Sequence, residues 1–126
     1  MMSKVKEAQG IKRYIAYIKQ RIFLIKSGIL FVSDNEFQYL IYLYNAVKEF
    51  AKTHRLYIKY ILGRLDRETA KCILGFKERQ FFRYCKAQRK CFIDFMEKQE
   101  EDALLLYPYS DGEQEIAEIK EQGEEQ

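Results

Sequence analysis

One proline in 126 residues, six glycines and no tryptophan leave little material for tight turns. An all-β sandwich needs turn signals at short, regular intervals, and this chain does not hold them. A single histidine, His54, stands far in sequence from three cysteines, Cys72, Cys85 and Cys91, which form no CxxC pair. That supply is too thin for a structural zinc site, and no metal is expected. No apolar run approaches the roughly 18 residues of a membrane span, and no signal-peptide pattern is present. With an odd cysteine count, this predicts a reduced, cytoplasmic protein. Also missing are a phosphate-binding loop, a Ser-His-Asp arrangement and a paired-carboxylate motif, so neither an enzyme nor a cofactor is expected.

What is present is apolar and aromatic material, with 48% hydrophobic residues, ten tyrosines and nine phenylalanines, ample for a core. Helix is the expected class throughout. The formal charge of +3 hides a sorting by position. Residues 1–93 carry 20 Lys/Arg against 7 Asp/Glu, whereas residues 94–126 carry 2 Lys against 12 Asp/Glu. A basic body suits a polyanion, and an acidic end suits a solvated or partner-binding tail.

Apolar residues at Ile11, Ile15, Ile18, Ile22 and Ile25 recur at steps of 4, 3, 4 and 3, which predicts one stripe of a helix within residues 5–26. The stripe has two uses, a coiled-coil seam between two copies or the chain's own core. Two heptads fall short of the three or four that make a seam, which favours the core. Gly28 is placed to end this helix. Ser33-Asp34-Asn35-Glu36 matches a capping box, in which Ser and Glu side chains each satisfy a backbone N–H. The next helix carries Phe37, Leu40, Ile41, Tyr44, Val47 and Ala51 at helical spacing, widened by Tyr39, Tyr42 and Leu43. It is expected to pack antiparallel on the first. A break near Thr53 is expected, with His54 as a surface or capping residue and a separate apolar helix over residues 56–62.

Asp66 is a good N-cap for a short helix over residues 67–74, with Ala70, Ile73 and Leu74 as its buried positions. Gly75 then marks a turn, and a long helix is expected over residues 78–96. Its predicted inward face is Phe81, Cys85, Gln88, Phe92 and Phe95. Residues 77–90 hold six cations and one anion, the densest positive cluster in the chain. A short helix, a glycine turn and a basic second helix form the layout of a helix-turn-helix, with Leu74, Phe76 and Phe81 as the plug between helices.

The stretch LGFKERQFFRYCKAQRKCFIDF, residues 74–95, resembles the C-terminal motif of the ArpU family of phage transcriptional regulators, itself similar to region 4 of bacterial sigma factors. The resemblance rests on Leu74-Gly75-Phe76, a polar Lys77, Glu78-Arg79, the apolar-aromatic-arginine run Phe81-Phe82-Arg83, and the basic continuation from Lys86. RLYIKYILGRLDRETA, residues 55–70, resembles the sigma-like brace helix and its connection. Two positions depart from the pattern. Lys71 stands where a small residue is usual, which leaves an altered helix crossing or a lysine that snorkels outward. Lys77 replaces the usual Ser or Thr cap and is placed to approach a phosphate.

The expected architecture is therefore all-α: an N-terminal helical hairpin (1–53), a three-helix helix-turn-helix (54–98) and an acidic, disordered tail (99–126). The resemblance implies a double-stranded DNA-binding regulator of phage or prophage late genes in a bacterial host. Arg79, Gln80, Phe82 and Arg83 are the candidates for base edges, since Arg pairs with guanine and Gln with adenine, while Phe82 either meets a thymine methyl or belongs to the core. Arg64, Arg67, Lys77, Lys86, Arg89 and Lys90 are the candidates for phosphates. An alternative is a helical adaptor that binds RNA polymerase, a sigma factor or another host protein. A homodimer through the N-terminal helices is a further expectation, and no membrane contact is expected.

Overall fold

A computed structural model describes residues 4–8 and 10–110, and every regular element among them is helical. In order these are α1 (Lys4–Glu7), α2 (Ile11–Lys26), α3 (Asp34–Thr53), α4 (Arg55–Ile61), α5 (Arg67–Leu74) and α6 (Glu78–Leu106). The helix expected within residues 5–26 is broken at Gly10, whose φ of 121° is not helical. The isoleucine stripe of α2 is buried at Ile11, Ile15, Ile18 and Ile22, and Tyr14 joins it. That face packs on α3 inside the same chain, so the stripe is spent in the core and offers no seam to a second copy.

The α2–α3 connection is a hairpin closed by an ion pair. Ser33 accepts from the Glu36 N–H at 3.1 Å, which is half of the expected capping box. The Glu36 carboxylate does not turn back to its own N-cap. It accepts instead from the Arg21 guanidinium at 2.7 Å and is almost wholly buried in doing so. The helix α3 ends at Thr53, and the break falls at His54, whose ring stacks on Phe50 at 3.9 Å. His54 Nδ1 also lies 3.1 Å from the Phe50 carbonyl, a capping role, while Nε2 on the other side of the ring lies 3.9 Å from the exposed Cys91 thiol.

The long helix α6 departs most from expectation. Its burial does not stop at Phe92 and Phe95 but rolls on to Met96, Glu100 and Ala103. The boundary expected after residue 98 therefore falls inside a helix, and residues 99–106 belong to the fold. Glu100 anchors them. Its carboxylate accepts from the Lys4 and Val5 N–H groups at 3.0 Å each and from the Tyr14 hydroxyl at 2.6 Å. Beyond the helix, Asn35 Nδ2 donates to the Pro108 carbonyl at 2.7 Å, and Tyr109 packs on Tyr39 with rings 4.9 Å apart. The acidic stretch from residue 111 lies outside the described residues. One buried cluster runs from Val5 to Ala103 across α1, α2, α3, α4 and α6, so the expected division at residue 53 does not separate two cores.

Candidate functional site

The corner formed by α4, α5 and the start of α6 has its own small aromatic core. Ala70 and Phe81 are fully buried there. Phe81 meets Tyr60 edge-on at 5.1 Å and Tyr84 at 6.0 Å, and Phe76 meets Tyr84 at 5.9 Å. Phe81 and Phe76 thus fill the corner as expected, while tyrosines 60 and 84 are the partners that sequence reasoning missed. Between the helices Gly75 adopts φ 70° and ψ 29°, the left-handed conformation that costs other residues steric strain. Asp66 caps α5 by accepting from the Thr69 N–H at 3.4 Å, and that contact holds its carboxyl below the usual range.

Ion pairs then lock α5 to the first turn of α6. Lys71 reaches Glu78 at 2.7 Å, and the Arg67 guanidinium bonds the other oxygen of the same carboxylate. Both contacts hold the Glu78 carboxyl below the usual carboxylate range, Lys71 first and Arg67 second. Lys71 thus does not snorkel into solvent; it lies across the helix pair with its side chain only 16% exposed. Ile73, expected to be buried, is 63% exposed instead. The two positions stand about 200° apart on a helix, so turning Lys71 toward Glu78 turns Ile73 outward.

The cations named for phosphate contact separate into engaged and open groups. Arg67 is engaged: besides Glu78 it lies 5.1 Å over the Phe81 ring and donates to the Tyr60 hydroxyl at 3.4 Å. It braces the corner rather than standing free for a phosphate. Lys90 pairs with Asp94 at 2.9 Å, a contact that raises its pKa. Arg89 is exposed but sits to the side where it influences the buried Tyr57, whose pKa burial pushes up to about 12. Arg64 is exposed in the α4–α5 loop, and Lys77 is exposed at the α6 N-cap.

Of the base-edge candidates, Arg79 and Arg83 are exposed and make no ion pair or hydrogen bond among the described residues, and the same holds for Lys86. Helical spacing puts Arg79, Arg83, Lys86 and Lys90 on one stripe opposite the buried Phe81–Phe92 face. Phe82, 64% exposed, flanks it, so the core alternative for this residue is excluded. Gln80 is different. Its amide oxygen accepts from the Lys77 N–H at 2.9 Å, giving α6 the half of a cap that Lys77 has no acceptor to complete. An adenine contact from Gln80 would have to compete with that bond.

The chain matches no family model, no curated protein and no solved structure. The stripe therefore has to be judged on its own chemistry. Four cations project from a helix whose back is fixed by Phe81, Phe92 and Met96, all fully buried. Among the described residues no group of His, Cys, Asp and Glu could hold a metal ion. No described helix is long and apolar enough to cross a membrane.

Proposed function

We propose that the protein is a sequence-specific double-stranded DNA-binding regulator that places the start of α6 in the major groove as the second helix of a helix-turn-helix. The observation that carries this reading is the open stripe Arg79–Arg83–Lys86 beside the exposed Phe82, on a helix braced from behind. Arg79 and Arg83 are the base readers, each good for roughly 1–3 kcal/mol of discrimination when bidentate to guanine. Arg64, Lys77 and Lys86, all exposed, supply phosphate contacts, which fix register and orientation without reading sequence. The resemblance to ArpU regulators extends the reading to late genes of a phage or prophage. Selection from a randomised duplex pool, followed by shifts across a salt series, tests it. Arg83→Ala should lower preference for the selected sequence, and Lys86→Ala should flatten the salt dependence by about one unit of slope.

A second reading, contact with RNA polymerase or another host protein, draws on exposed apolar side chains. Phe23, Ile29 and Phe31 stand out near the α2–α3 loop, and Leu105 and Leu106 at the end of α6. The Asn35–Pro108 hydrogen bond brings those two regions to one end of the molecule. Co-purification of polymerase with the wild-type chain, lost in Phe31→Ser, would favour it.

A further inference from the structure

The charges on the outer face of α6 are sorted rather than mixed. Arg79, Arg83, Lys86 and Lys90 are followed on the same stripe by Asp94, Glu97 and Glu101. The steps between them, 4, 3, 4, 4, 3 and 4, read identically from either end, with Lys90 at the centre. All but the half-buried Glu97 are exposed.

Helix stability does not account for this order. Surface helices gain from opposite charges at i and i+4, yet Arg79–Arg83, Lys86–Lys90 and Glu97–Glu101 are like-charge pairs at that spacing. Of the i, i+4 steps along the stripe, Lys90–Asp94 is the one of opposite sign, at 2.9 Å. The order also opposes the helix macrodipole, which favours anions toward the N-terminus and cations toward the C-terminus.

We infer that this face docks against the same face of a second copy of the chain, with the two α6 helices antiparallel about a two-fold axis at Lys90. In that register Arg79 meets the partner subunit's Glu101, Arg83 meets the partner subunit's Glu97, and Lys86 meets the partner subunit's Asp94. The two-fold axis repeats each pairing with the roles exchanged. The matched stripe extends about 33 Å at 1.5 Å per residue. A parallel arrangement would set cation on cation and anion on anion along its whole length, whereas the antiparallel one sets like charges together only on the axis, where each Lys90 keeps its own Asp94 beside it. Built from exposed ion pairs, the dimer is weak and sensitive to salt. It stands on the stripe alone and does not need the DNA reading. If that reading also holds, the dimer covers Arg79, Arg83 and Lys86, and self-association competes with duplex binding.

Analytical ultracentrifugation of the full chain at several concentrations, in low and high salt, tests the register. Wild type should self-associate at low salt and dissociate at high salt. Arg79→Glu and Glu101→Arg should each weaken the dimer by about tenfold, because the axis breaks two pairs at once. The double variant Arg79→Glu/Glu101→Arg should recover most of the loss. A wild-type chain that stays monomeric throughout, or a double variant no better than either single one, overturns the inference. Anisotropy of a labelled duplex separates the two readings. Glu101→Arg should bind DNA at least as well as wild type, whereas the double variant should dimerise and bind DNA poorly. Charge-swap rescue without duplex binding by any variant would uphold the dimer and sink the DNA reading.

Discussion

Glu100 gives the sharpest test of how this chain is held together, because a carboxylate in a run of acidic residues joins α6 to α1 and α2 through three hydrogen bonds. Tyr14→Phe removes one hydroxyl and leaves the ring, which packs edge-on to Phe92 at 6.0 Å. The lost bond is 2.6 Å long and ends on a buried carboxylate. Hydrogen bonds to charged groups contribute roughly 1.5–3 kcal/mol, so a loss of about 2 kcal/mol is expected. For a chain of this size, that corresponds to a fall in Tm of roughly 7–9 °C. Glu100→Gln should cost more, about 3 kcal/mol, because a carboxamide cannot accept at both oxygen positions and turns a donor toward a backbone N–H. Urea denaturation of both single variants and the double variant completes a cycle, with a coupling of about 1 kcal/mol or more. Burial, followed by the carboxylate, raises the Tyr14 pKa, so the phenol remains a donor across the neutral and alkaline range. A Tyr14→Phe variant within about 0.5 kcal/mol of wild type, with strict additivity in the double variant, would refute this account of Glu100.

Phe81→Ala should cost about 3–5 kcal/mol, since the ring is fully buried among Tyr60, Tyr84 and Arg67, and amide exchange should show the corner of α4, α5 and α6 opening first. Ser33→Ala removes the cap bond to Glu36 and should lower stability by about 1 kcal/mol in thermal melts. Glu78 sets a pH dependence. Because Lys71 and Arg67 depress its folded pKa, its contribution is present above the unfolded carboxylate range and is lost as pH falls through the folded value. The urea midpoint of wild type should therefore exceed that of Glu78→Gln at neutral pH, and the two should converge in acid; a gap that persists in acid would contradict the assignment.

Local signals in the sequence carried much of the fold. Ser33, Asp66 and Gly75 mark ends that depend only on their immediate neighbours, and each does so in the structure. The stripe of α2 and the break at His54 follow from spacing and polarity in the same way. Long-range contacts were not legible. Nothing in KQEEDALLL distinguishes Glu100 from Glu101, because its burial is decided by amides and a hydroxyl more than eighty residues earlier. The apolar side chain of Ile73 predicts burial, but Lys71 takes the inner side through its pair with Glu78. For the candidate site, helical spacing was enough to bring Arg79, Arg83 and Lys86 together. It could not show that Arg67 is spent on Glu78 and Phe81, or that Gln80 caps its own helix.

The most direct test of the proposed function is the salt dependence of binding to a duplex enriched from a random pool, measured by anisotropy at protein concentrations low enough to keep the chain monomeric. Wild type should show a linear fall in log affinity with log salt, with a slope of roughly −3 if about three phosphates are engaged. Arg83→Ala should lose affinity for the enriched duplex while binding scrambled duplex nearly as wild type does. Absence of salt-sensitive binding to any duplex, or an Arg79→Ala/Arg83→Ala/Lys86→Ala variant indistinguishable from wild type, would contradict the assignment of this face to DNA.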